Sequence, residues 1–175
     1  MIEIPVVNEI SSTETFFSNT LNMQKELIKQ YYNHPSTIIW GYANEFLVFA
    51  LWKKNQEIKD SMLIYAKKLA QQLDSLALSL DPYRSTAIAG DYNPYYNETD
   101  VVNIPKVFAW NLYFGWYYHE INEFARFIDE QHKKFPHCPV MISEYGAGSA
   151  DFCIPIPLLL STIPLNSMKF FLKST

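Results

Sequence analysis

The strongest constraint on this chain is a short apolar run that does not alternate. Residues 36–43 read STIIWGYA and close on Asn44-Glu45. A strand with one wet face alternates apolar and polar residues, whereas a parallel strand covered on both faces reads as a continuous apolar run. The segment therefore predicts a buried parallel strand. Parallel strands need crossover connections, and these are usually helices.

The rest of the chain supplies them in order. Residues 2–7 (IEIPVV) predict a first strand, with Pro5 near its end. Ser11 and Glu14 fit a capping box, Ser followed three residues later by Glu. A helix is expected over about 14–32, with Phe17, Leu21, Ile28 and Tyr31 at helical spacing. Asn33-His34-Pro35 stops it, because the residue before a proline is pushed out of the helical region. A second helix is expected over 57–80, with Ile58, Met62, Tyr65, Leu69, Leu73, Leu76 and Leu80 on its inner side, ended by Asp81-Pro82. Strands follow at 84–90, about 107–113 and 140–144; a helix lies at about 120–134, and 91–100 is a polar turn-rich loop. Strands alternating with helices imply a parallel sheet with right-handed crossovers. Both a TIM barrel and a doubly wound sheet fit that order.

Composition narrows the function. With 12 Tyr, 12 Phe and 4 Trp among 175 residues, the chain can build a large core. Net charge is −4 and no run of Lys and Arg occurs, which argues against nucleic acid as a partner. The longest apolar stretch, 152–165, is broken by Pro155, Pro157 and Pro164, well short of the ~20 residues of a membrane helix. The first residues carry no basic and apolar leader. Neither these nor Cys138 and Cys153, which lack CxxC spacing, fix a compartment. No GxGxxG or GxxxxGK[ST] motif points to a nucleotide.

Two apolar strands end in a glutamate: Glu45 after Ile38–Ala43, and Glu144 after Val140–Ser143. In a parallel α/β barrel, functional residues stand at the C-terminal ends of strands. Two carboxylates facing one another there can cleave a glycosidic bond, one protonating the leaving oxygen while the other attacks the anomeric carbon. A lone glutamate at a strand end is more often a salt-bridge or capping residue; two of them shift the balance. His34 at the base of a strand reads as a structural hydrogen-bonding residue. His137-Cys138 lacks a second ligand cluster and is not read as a metal site. The aromatics of 113–118 read as packing that could also stack on a sugar. Asn97-Glu98-Thr99 is a glycosylation sequon, meaningful only after secretion.

Four segments, EIPVVNE (3–9), NHPSTIIWGYANE (33–45), WNLYFGWY (110–117) and PVMISEYGAG (139–148), resemble the catalytic TIM barrel of glycoside hydrolase family 2, most closely its β-galactosidase branch. They occur in the family's order and cover residues 1 to about 150. The resemblance implies a partial (β/α)8 barrel, roughly strands three to seven, truncated at both ends, with a parallel sheet and flanking helices. It implies hydrolysis of terminal β-galactosides by a retaining double displacement. Glu45 would be the general acid/base and Asn44 would hold the sugar 2-hydroxyl. Glu144 would be the nucleophile, with Tyr113 beside it. Asn111 and Trp116 would shape the pocket. The substrate would be a β-linked oligosaccharide or glycoside. No cofactor is expected, and the magnesium ligands of some family members have no match at Val6-Val7-Asn8. The alternatives are a sibling β-glucuronidase or β-mannosidase, or an inactive fragment. Unpaired barrel edges would also favour self-association.

The tail 151–175 departs from this pattern. From Phe152 onward it holds no acidic residue and no glycine, and only Lys169 and Lys173 carry charge. It reads as divergent and frameshifted. Translating the encoding DNA in the other two frames after codon 150 should recover family-like sequence; failure to do so removes the frameshift.

Overall fold

The computed structural model describes residues 1–146. The tail expectation for 151–175 lies outside the described residues. The elements are β1 (Ile2–Glu3), α1 (Glu14–Tyr31), β2 (Ile39–Asn44), α2 (Gln56–Leu80), β3 (Ser85–Gly90), α3 (Tyr95–Glu98), β4 (Val107–Leu112), α4 (Glu123–Lys134) and β5 (Val140–Tyr145). Short 3-10 turns occupy Val48–Trp52 and Val101–Asn103.

The sheet runs β1-β2-β3-β4-β5, every neighbouring pair parallel. A doubly wound sheet reverses its strand order at a switch point. This sheet never reverses, so the chain is an arc of a TIM barrel, and the choice left open by the element order is resolved.

The pleat sorts the strand residues onto two faces. Trp40 packs with Ile28 of α1 and Ala77 of α2, and Tyr42 donates from its hydroxyl to Asp74 of α2 at 3.3 Å. Trp110 meets Phe127 of α4 with ring centroids 5.1 Å apart. The large side chains of β2 and β4 therefore face the helices. Small residues take the alternate positions: Gly41 pairs with Ala87, and Ala89 with Ala109. Gly41 also permits the close approach of β1, because a Cβ there would lie 2.6 Å from the Glu3 Cβ.

Several local expectations shift. The N-cap of α1 is Thr13, not Ser11. Its Oγ1 accepts the Phe16 N–H at 3.3 Å, while Ser11 Oγ accepts the Thr13 N–H at 3.3 Å. Ser11 lies two residues before the N-cap position, too far from the first helical turn to serve. On α2 the buried stripe is Met62, Ala66, Leu69, Ala70, Leu73 and Ala77. Ile58 and Tyr65 lie on the exposed side. The α4 helix begins at Glu123 because His119 takes a left-handed backbone (φ 55°) and a turn fills 120–122. The loop 91–100 contains the helical turn α3, seeded by Asn93 Oδ1 accepting the Tyr95 N–H at 3.0 Å.

The base of β2 is fixed by Asp81, just past α2 and 1% exposed. Its carboxylate accepts from the Trp40 indole at 3.0 Å, from Arg84 Nη1 at 2.7 Å, and from the Tyr83 and Arg84 amides. Burial pushes this carboxyl up, but the bonds from Arg84, Trp40 and the two amides outweigh it and hold the pKa below its ordinary value. A carboxyl lowered on folding stabilises above its unfolded pKa and loses that contribution as pH falls through the folded value. Asp81→Asn should cost about 1–3 kcal/mol at pH 7 in urea unfolding. The gap to the parent should narrow below about pH 4, where the parent carboxyl also protonates.

Candidate active site

The C-terminal ends of β2, β4 and β5 converge on one cluster. β2 ends at Asn44, and Glu45 then adopts a left-handed backbone (φ 49°), unusual for a residue with a Cβ. The conformation is held on both sides. The Glu45 N–H donates to the Ala89 carbonyl at 2.8 Å, and its own carbonyl accepts the Val48 N–H at 3.0 Å. Such backbone conformations cost free energy and persist where surrounding bonds enforce them.

Asn111, on the inner face of β4 and fully buried, links the three ends. Its Nδ2 donates to Glu45 Oε1 at 2.8 Å and to Asn44 Oδ1 at 3.0 Å. Its Oδ1 accepts from the Ser143 hydroxyl at 2.6 Å. Both amide hydrogens are thus committed, and the orientation of the amide is set by the hydroxyl behind it.

Glu144 lies opposite Asn111 in the β4–β5 register, after an irregularity between Trp110 and Asn111. Its Oε2 accepts from the Tyr113 hydroxyl. Burial, the bond to Glu144 and the charges of Glu144 and Glu45 raise the Tyr113 hydroxyl well above its ordinary range. The phenol stays protonated across the physiological range and remains a donor. The turn after β4 needs Gly115 at φ 79°, and Tyr118 closes it. The Tyr118 hydroxyl accepts the Tyr113 N–H at 2.8 Å and donates to the Asn111 carbonyl at 3.3 Å. Burial and the charges of Asp91 and Glu45, partly offset by the Tyr113 amide, push that hydroxyl to about 12.

Asn44, Glu45, Asn111, Tyr113 and Glu144 are therefore brought together. Trp116 sits in the same turn, its backbone N–H donating to the Tyr113 carbonyl at 3.0 Å. Its indole N–H is buried without a partner among the described residues. His34 stands apart, at the other end of β2; its ring packs on Tyr31 with centroids 5.3 Å apart, and its hydrogen bonds are those of its backbone. Cys138 is buried and its thiol donates to the Val102 carbonyl at 3.3 Å. Among the described residues no three His, Cys, Asp or Glu side chains converge as metal ligands.

A third carboxylate escaped the sequence reading. Asp91 directly follows β3 and accepts from the Tyr96 hydroxyl at 2.9 Å. The signal was present: the apolar run AIAG closes on Asp91 as the other two strands close on glutamates. Burial raises Asp91 to about 6; the Tyr96 bond opposes this and the charge on Glu45 adds to it. Ser143 and Tyr118 were also missed, because their partners lie across strands or at a turn.

Comparison with known proteins agrees with this geometry. A family model described as "Glycosyl hydrolases family 2, TIM barrel domain" matches residues 2–151. The chain belongs to glycosyl hydrolase family 2. A β-glucuronidase of Bacteroides fragilis is 37% identical over 138 residues, covering 79% of this chain and 17% of the relative. The structure of Bacteroides uniformis β-glucuronidase 2, covalently bound to cyclophellitol-6-carboxylate aziridine, superposes with a TM-score of 0.79 at 36% identity. It covers 85% of this chain and 18% of that one. A Bacteroides fragilis structure named provisionally as a β-galactosidase is 29% identical with a TM-score of 0.65, over 84% of this chain and 19% of that one. The chain thus spans under a fifth of the length of these relatives. Family membership and barrel fold stand as expected from the sequence. The choice of the β-galactosidase branch does not gain the same support, since the relatives of higher identity carry the β-glucuronidase name.

The raised Asp91 carboxyl has a signed consequence. A carboxyl raised on folding contributes stability below its unfolded pKa, about 4, and loses it as pH rises through about 6. Asp91→Asn should therefore gain stability relative to the parent between pH 4 and 7, by on the order of 2 kcal/mol after solvent screening. Urea midpoints across that range measure it; parallel pH curves for parent and variant would refute it.

Proposed function

We propose that this chain carries the acid/base and nucleophile pair of a retaining β-glycosidase acting on terminal β-glucuronides. The observation that carries the reading is that one strand end reaches both carboxylates: Asn111 holds Glu45 and Tyr113 holds Glu144. The names of the relatives favour a glucuronide over the galactoside expected from the sequence.

In this reading Glu144, ionised, attacks the anomeric carbon of the bound sugar. The Tyr113 hydroxyl donates to one oxygen and leaves the other free for the new bond. Glu45 protonates the departing glycosidic oxygen. Asn111 occupies Oε1 of Glu45, which leaves Oε2 to carry that proton. A water then enters where the aglycone left, gives its proton to Glu45, and displaces Glu144 from the sugar. Asn44 takes the sugar 2-hydroxyl, a contact that gains most as charge builds at the anomeric centre. Trp116 shapes the wall beside Tyr113. The domain reading is a catalytic barrel segment over 1–150 followed by the divergent tail. Among the described residues β1 and β5 are the edge strands, and their open backbone would favour self-association.

A second reading, cleavage of β-galactosides, is favoured by the Bacteroides fragilis structure that carries that name. Nitrophenyl β-glucuronide and nitrophenyl β-galactoside assayed side by side decide between them. Glu144→Gln should lower kcat by on the order of 10³-fold or more on the preferred substrate. Glu45→Gln should lower it by roughly 10²–10⁴-fold when the leaving group needs protonation. Activity that survives Glu144→Gln would refute the nucleophile, and a folded chain that cleaves neither substrate would refute the activity.

A further inference from the structure

The turn that carries Glu45 is gripped from a neighbouring strand end. Leu47, two residues on and fully buried, has both of its backbone groups engaged from the β3 side. Its N–H donates to the Tyr96 hydroxyl at 3.4 Å, and its carbonyl accepts from Asn93 Nδ2 at 3.0 Å. Tyr96 is itself fully buried, and its hydroxyl hydrogen goes to Asp91 Oδ1 at 2.9 Å. That bond fixes the hydroxyl rotor, so its lone pair faces Leu47. A hydroxyl free to rotate would lose this direction. Asn93 is buried as well, and its other amide atom, Oδ1, accepts the Tyr95 N–H. The Glu45 N–H meets the same strand at Ala89. Every polar grip on residues 45–47 from this side therefore traces to Ala89–Tyr96. The left-handed backbone of Glu45 would relax toward ordinary geometry if the grip loosened.

We propose that Asp91, acting through the Tyr96 hydroxyl, is a positioning residue that holds the Glu45 turn in its left-handed conformation and so aims the Glu45 carboxyl at the leaving oxygen. Its catalytic consequence rests on the function proposed above, whereas its structural consequence does not. A loosened turn leaves Glu144 and Tyr113 in place. The defect should fall on proton delivery to the leaving group and spare nucleophilic attack.

Two measurements on the full chain test this. The first is amide hydrogen exchange at Glu45 and Leu47 by NMR, which needs no activity. Tyr96→Phe removes one hydroxyl and keeps the ring, so the core packing survives; exchange at Leu47 should quicken by about tenfold, the loss of one buried hydrogen bond. Ala109 and Trp110 in β4 should exchange as in the parent. Asp91→Ala should match Tyr96→Phe, while Asp91→Asn, which keeps a carbonyl acceptor for the hydroxyl, should return Leu47 exchange to near the parent rate. The second is the dependence on leaving group. Tyr96→Phe and Asp91→Ala should slow hydrolysis of an alkyl β-glucuronide by roughly 10–100-fold and that of the dinitrophenyl glycoside, which leaves without protonation, by less than about threefold. Unchanged Leu47 exchange in both Tyr96→Phe and Asp91→Ala overturns the proposal, as does equal slowing of the two substrates. If the parent cleaves neither glycoside, the function proposed above fails, and the exchange pattern alone decides the grip.

Discussion

The geometry of the site depends on one buried side-chain amide. Asn111 is sealed from solvent, so each of its polar atoms must find a protein partner or cost roughly 1–3 kcal/mol. It finds three, on Asn44, Glu45 and Ser143. Those partners come from β2 and β5, on either side of the β3–β4 pair. The amide is planar and its donors diverge at a fixed angle, so satisfying them sets where the two strand ends stand relative to β4. The parallel sheet brings all its C-terminal ends to one side, and Asn111 converts that coarse alignment into an arrangement of individual atoms.

Much of this was legible because the relevant patterns are local. Apolar runs located β2, β3 and β4 to within about three residues, since burial on both faces demands them, and β5, half-buried to exposed, was found by the same pattern. The strand-end rule then found Glu45 and Glu144. Boundary errors arose where a few residues decide the outcome. Thr13 displaced Ser11 because only the residue next to the first turn can reach its free amides. Pro5 removes a donor, and regular β1 stops at Glu3 before the chain rejoins the sheet in a single bridge between Val7 and Asn44. The helical turn α3 was hidden within DYNPYYNETD, whose composition reads as coil.

The links among site residues were less legible. Asp91 closes an apolar strand as the two glutamates do, but nothing local marks what it serves, because Leu47, which its tyrosine holds, lies 49 residues from Tyr96. The positive φ of Glu45 is likewise imposed by Ala89 and leaves no trace in the residue itself. The sugar preference was the least legible of all. The two-carboxylate chemistry is common to cleavage of any β-glycoside, so the residues that perform it do not name the sugar.

The Asn111–Glu45 bond spans 66 residues and Tyr113–Glu144 spans 31. Contacts of such separation form only after the loops between them have closed, and that closure is entropically slow. No isolated hairpin or helix of this chain can contain the cluster. Its formation therefore reports that β2, β4 and β5 have all docked, which makes the site a probe of long-range assembly rather than of local structure.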